Sequence, residues 1–218
     1  KQSKQLLWAV VLMIALLAII IAVPFINQNF VNKFDYKGLE FKKTSLGDLI
    51  FYSVNFPVVA ATGQVTGDYS VNFRVDPREL DKIPVRVPDN RITFIQRSIG
   101  GYNPVYLTFN SDLKLCEDTS IALMNLAGFL RDSGLEVVSA STNQTYAEEN
   151  DMKYKDCDSS KQAMDTIIKI TEGDETAINQ LHNNCYEIQF KDCEILEGSE
   201  RFMLAMLEEY ASRFESLG

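Results

Sequence analysis

The sequence predicts an α/β fold, a mixed sheet with a β-rich first half and a βαβ unit in the second, preceded by one N-terminal transmembrane helix. Three observations carry this expectation. Residues 6–23 are 18 consecutive apolar side chains. Residues 34–109 are short alternating or β-branched runs punctuated by Gly, Pro, Asn and Asp. The strand-like run 105–109 is followed by a helical pattern over 118–132, a Gly stop and a second strand-like run, the signature of a parallel crossover.

The apolar segment comes first. Eighteen residues make about 27 Å of helix, and Pro24, Phe25 and Ile26 extend it close to the hydrocarbon thickness of roughly 30 Å. A cleaved secretory signal has a shorter apolar run and small residues before its cleavage site; Ile21-Ala22-Val23-Pro24-Phe25 offers no such pair. Trp8 suits an interfacial position. A pilin-like filament helix usually carries a Glu inside its apolar stretch, and this one has no acid before Asp35. Residues 1–30 are therefore expected to anchor the chain in the bilayer through residues 6–26, and residues 31–218 to form a single domain.

Orientation follows from weaker signals. Lys1 and Lys4 precede the span, and Lys33, Lys37, Lys42 and Lys43 follow it, so the positive-inside rule favours neither end strongly. The four cysteines, Cys116, Cys157, Cys185 and Cys193, all lie in the C-terminal half, an even number consistent with two disulfides in an oxidising compartment. Asn143-Gln144-Thr145 is an N-glycosylation acceptor in a loop-like stretch. Together these place the N-terminus in the cytoplasm and the domain outside the cell membrane. Lys1 and Lys4 are two of 21 basic groups, so the domain holds 19 against 30 acids, a net of −11. Such a surface repels phosphate backbones, which argues against nucleic-acid binding.

Along the domain, residues 34–41 alternate around Gly38, a strand, turn and strand. Residues 49–60 are rich in β-branched and aromatic residues. Thr62-Gly63 and Gly67-Asp68 read as turns before Tyr69, Val71, Phe73 and Val75, which share one strand face. Pro77 breaks that strand and suits a first helical turn capped by Asp76. A strand at 91–96, a loop at 98–104 and the strand 105–109 complete the β-rich half. The helix at 118–132 is apolar around more than one face and should be deeply buried; Ser133-Gly134 stops it before a strand at 135–140. Residues 142–162 read as a long polar excursion. Residues 166–171 form a strand, Glu172-Gly173-Asp174 a hairpin turn with 176–181 as its return, and 185–190 a further alternating strand. A helix at 199–214, capped by Ser199, closes the chain with Met203, Leu207, Tyr210 and Phe214 along one stripe.

Residues that could carry chemistry are few. Four cysteines admit three pairings. Cys185 and Cys193 flank a strand and turn and could close a small loop, which favours 116 with 157 and 185 with 193. Cys116 is also the one catalytic candidate: it lies between a strand and a helix, where a helix N-terminus lowers a thiol pKa. Its neighbours Glu117 and Asp118 oppose that effect, and there is no Cys-x-x-Cys. His182 is the single histidine, which excludes the usual zinc sites and leaves a triad without a supporting motif. Asp156-Cys157-Asp158 hints at a calcium loop, but Lys161 and Ile167 stand where such a loop needs Gly and Glu. No phosphate-binding or nucleophile-elbow motif is present, and no cofactor or metal is implied.

Residues 76–80 (DPREL), 172–176 (EGDET), 184–196 (NCYEIQFKDCEIL) and 200–203 (ERFM) resemble those of uncharacterised single-pass membrane proteins of archaea. The likeness extends from the anchor to the final helix and implies an archaeal cell surface, with no activity attached. The expectation is a non-catalytic, membrane-anchored extracytoplasmic protein that binds or scaffolds other envelope proteins. The alternatives are a thiol-dependent oxidoreductase using Cys116 and a pilin-like filament subunit.

Overall fold

In the computed structural model, residues 2–26, 32–59, 65–95, 102–160 and 165–215 are described. Helix α1 spans Gln2–Ile26, and its described side chains, Lys4, Trp8 and residues 10–22, are exposed. Among the described residues no helix is long and apolar enough to cross a membrane.

Beyond α1 the described residues form two sheets with one main core between them. The first is an antiparallel meander of β1 (Lys33–Tyr36), β2 (Leu39–Leu46), β3 (Leu49–Val59) and β4 (Val65–Phe73). Lys37 and Gly38 both have positive φ, the tight hairpin turn between β1 and β2. Gly67 and Asp68, read as a turn in sequence, instead pair with Val58 and Pro57 inside the β3–β4 ladder. Phe41, Tyr52, Val54, Val71 and Phe73 are buried on one side of this sheet. The chain then turns at helix α2 (Pro77–Leu80), where the Asp76 side chain accepts from the Arg78 N–H, the expected cap.

The second sheet has seven strands: β5 (Val85–Arg86), β6 (Val105–Phe109), β7 (Val137–Ser141), β8 (Lys153–Tyr154), β9 (Thr166–Glu172), β10 (Ala177–His182) and β11 (Cys185–Phe190). Their order is β5-β10-β11-β9-β6-β7-β8. The expected βαβ unit is present: β6 and β7 are parallel neighbours joined by helix α3 (Thr119–Asp132). The fold class is thus α/β with mixed sheets.

Several sequence expectations are corrected. Residues 91–95 have no regular secondary structure and join no ladder; Tyr186 instead holds this segment, its hydroxyl accepting from the Thr93 N–H at 2.7 Å. The polar excursion is folded into helix α4 (Gln144–Glu149), β8 and helix α5 (Cys157–Ser160). Strands β9 and β10 are not a hairpin, because β11 lies between them, parallel to β9 and antiparallel to β10. The tight turn is Asn183-Asn184. Helix α3 is buried only through Thr119, Ala122, Leu126, Phe129 and Leu130, while Met124 is 72% exposed.

Helix α6 (Ile195–Glu215) begins four residues before the expected Ser199 cap, so Ser199 is interior and fully buried. The helix lies against α2, α3, β10 and β11, which explains why Phe202, Met203, Leu204 and Leu207 are all buried although they surround much of its circumference. A buried carboxylate joins it to the meander. Both oxygens of Glu200 accept backbone N–H groups at the end of β4, from Arg74 at 2.8 Å and Val75 at 2.9 Å. Burial pushes this carboxyl up to about 7, against the pull of those two N–H donors.

Candidate functional site

The seven-stranded sheet has unequal faces. Parallel sheets ordinarily bury both. Here Ile168, Ile170, Ile178, Tyr186 and Ile188 enter the common core, while the other face carries a small apolar cluster of Ile167, Cys185 and Cys157 and, beyond it, polar positions: Lys169 and Thr171 on β9, Glu187 and Gln189 on β11, Asn179 on β10. Glu187 gathers three of them. It accepts from Thr171 Oγ1 at 3.2 Å and Asn179 Nδ2 at 3.3 Å, and Lys169 Nζ lies 3.5 Å away. With side-chain exposures of 30% and 15%, Lys169 and Glu187 form a sheltered ion pair. Thr108, the register partner of Lys169 on β6, shares this face; its hydroxyl is buried and without a hydrogen-bond partner among the described residues.

A cleft of about 580 Å³ opens on this face, lined by Asn110, Thr142, Asp156, Asp158, Lys169, Thr171 and His182, with Leu181 and Cys157 as its apolar part. It runs along the open face from the carboxyl ends of β6 and β7 towards the amino ends of β9 and β11, since His182 lies opposite Cys185 and Cys185 opposite Ile167. From β6 the chain steps outward to β7 and β8, then returns to place β9 on the opposite side of β6. In open α/β sheets such a reversal leaves a crevice outside the carboxyl ends of the strands, where ligands bind. Asn110 and Thr142 directly follow β6 and β7, and Asp156 follows β8, so one end of the cleft lies there; Leu181 and His182 line its other end, beside the starts of β11 and β9. The volume falls in the range of small-molecule sites.

The sequence candidates fall around this cleft in different ways. Cys157 pairs with Cys185, with Cα atoms 5.5 Å apart, and pins α5 over β11 beside the cleft. Cys116 pairs with Cys193, Cα atoms 5.6 Å apart, joining the entry of α3 to the turn before α6. Two disulfides were expected, but the favoured pairing of 116 with 157 and 185 with 193 is wrong. The reason is topological: β11 inserts beside β9 with its start, Cys185, facing the return from β8, while its exit delivers Cys193 to the other face, where α3 begins. Cys116 is accordingly in a disulfide and not a thiol, and its N–H donates to Thr119 Oγ1 at 2.8 Å.

Asn143, the glycosylation candidate, caps α4 by accepting from the Tyr146 N–H at 3.1 Å and donates to Ser111 Oγ at 3.2 Å, at the same carboxyl end of the sheet. Tyr154 donates to Asp156 at 2.5 Å, and that carboxylate raises the pKa of the phenol. Among the described residues no group of three or more His, Cys, Asp or Glu is placed to hold a metal ion. What the cleft offers is recognition: neutral donors and acceptors from Asn110, Thr142 and Thr171, two carboxylates, one ammonium and one imidazole.

Sequence reasoning noticed His182, Asp156 and Asp158 separately but missed Lys169, Thr171 and Glu187. Their signal was available. Polar residues alternating with apolar ones in three strands of one sheet mark a face that leaves the core. No known protein family, curated protein or solved structure matches the chain.

Proposed function

We propose that this chain is a membrane-anchored extracytoplasmic binding protein that takes a polar component of the cell envelope in the cleft beside Cys157–Cys185. The cleft carries this reading, because its end at Asn110 and Thr142 lies at the switch point where open α/β sheets bind ligands and its lining is made of recognition groups. The anchor is residues 6–26, an unbroken apolar run continued through Ile26 in a chain segment that is helical from Gln2 to Ile26. Placement of the domain outside is supported by all four cysteines being paired, the state that oxidising compartments maintain. A surface with a net charge of −11 over residues 31–218 disfavours nucleic acid as the partner.

The test is native mass spectrometry of full-length protein extracted from its own membrane, compared with a Thr171→Trp variant that fills the cleft. A component bound to the wild type and lost from the variant is expected. Identical mass spectra for the two, or protein with four free thiols on extraction under alkylation, would count against the reading.

A further inference from the structure

The tip of the β2–β3 hairpin carries an apolar surface with no packing purpose. Leu46 is 72% exposed, Leu49 45% and Ile50 39%. Register shows that these are not one displaced core face: Leu46 lies opposite Leu49, and Ser45 opposite Ile50, so Leu46 and Leu49 share one face while Ile50 lies on the other. A hairpin end that is apolar on both faces is not built to cover a sheet. Gly47, at φ +62, makes a two-residue turn that holds the tip tightly.

The direction in which this tip points is fixed by the ladder. Lys33, the first residue of β1, pairs with Lys42, and β2 continues four residues further to Leu46. The tip therefore projects about 13 Å beyond the start of β1, at the end of the sheet where the chain arrives from α1. The β3–β4 connection lies at the opposite end. Only seven peptide steps separate Ile26 from Lys33, a reach of at most about 24 Å. Charge agrees with this direction: residues 41–53 contain Lys42, Lys43 and a single acid, Asp48, in a domain that is otherwise strongly acidic. Lys33 at the same end is paired with Glu40 at 2.7 Å.

We propose that Leu46, Leu49 and Ile50 enter the interface of the same bilayer that holds residues 6–26, giving the domain a second, shallow membrane contact that fixes its orientation. This rests on the anchor reading above. Aliphatic side chains in the headgroup region, flanked by lysines, are the chemistry of interfacial attachment. The hairpin acts as a strut, with the lysines at the level of the headgroups.

Trp8 is the chain's single tryptophan, so the two contacts can be read separately. Full-length protein is reconstituted in phosphatidylcholine vesicles containing lipid brominated near the headgroup. Wild type reports the anchor, and Trp8→Phe combined with Leu46→Trp reports the tip. Both should lose most of their emission to the bromines, and the reporter at position 46 should return to water-like emission when Leu49→Asp is added. Trp8→Phe with Leu181→Trp, on the seven-stranded sheet, should stay unquenched. Quenching of Trp8 without quenching at position 46 would overturn the proposal while leaving the anchor intact. Equal quenching at positions 46 and 181 would overturn it as well, by showing that the whole domain adsorbs. Loss of quenching at Trp8 itself would overturn the anchor reading, and the strut with it.

Discussion

Glu200 is the buried carboxylate that ties α6 to the end of β4. Fully buried, it uses both oxygens to hold the backbone at the end of β4, and nearby Glu197 adds to the upward push that burial exerts on its carboxyl. Arg74, whose own N–H is one of the donors, points its guanidinium to Asp118 at 3.2 Å and relieves the carboxyl only in part. The sign of the consequence follows from linkage. With a folded value of about 7 against an ordinary 4.5, the folded state binds the proton more tightly. The stability tied to this group is thus complete below about pH 4.5 and is lost as pH rises towards 7. The shift corresponds to about 3 kcal/mol at most. Urea unfolding of wild type and Glu200→Gln across pH 4.5 to 7.5 checks it: the wild type should lose stability relative to the variant as pH rises. Parallel curves would show that Glu200 stays ionised throughout.

At the scale of elements, helix α3 supplies a pair of opposite predictions. Gly134 follows the C-cap Ser133 with φ +83, and a Cβ built there meets nothing within 4 Å, so the cost of Gly134→Ala is purely that of the left-handed backbone, about 1 kcal/mol. Gly128, inside the same helix, has ordinary helical backbone and equally open space. Gly128→Ala should therefore stabilise by up to about 1 kcal/mol. Urea midpoints that moved in the same direction for both would refute the local account. The stop at Gly134 was legible in sequence because the turn chemistry is local, as was the Asp76 cap. The hairpin assigned to residues 172–174 was not. Its turn signal is real, since the chain does reverse there, but whether the two arms pair depends on a third strand that arrives later and slips between them. The same insertion of β11 decided the disulfides; the polar alternation of Lys169, Thr171 and Glu187 was legible within each strand, but their adjacency depends on β11 pairing with β9.

For the molecule as a whole, the question is whether two sheets of different character unfold together. Their hydrophobic core is continuous: Phe41, Val54 and Phe73 from the meander and Ile170, Ile188 and Phe202 from the second sheet and α6 belong to one buried cluster. Polar ties reinforce the seam at its edges. Tyr69 donates to Asp132 at 2.6 Å, and Lys37 joins Asp81 and Glu208 beside the buried guanidinium of Arg201. Neither disulfide crosses the seam, because Cys116–Cys193 and Cys157–Cys185 both lie within residues 116–193. Chain-entropy arguments give each bridge about 3.5 to 4.5 kcal/mol by restricting the unfolded chain, more for the 77-residue separation than for the 28-residue one. Replacing either pair by alanine should lower the free energy of urea unfolding by about 2 to 5 kcal/mol, yet leave a single transition, because the continuous core and not the bridges couples the sheets. Far-ultraviolet circular dichroism and tyrosine fluorescence should then trace coincident curves before and after removal of Cys116–Cys193. Curves that separate when that bridge is removed would mean that the meander and the seven-stranded sheet are independent folding units, and that the shared core is weaker than the bond beside it.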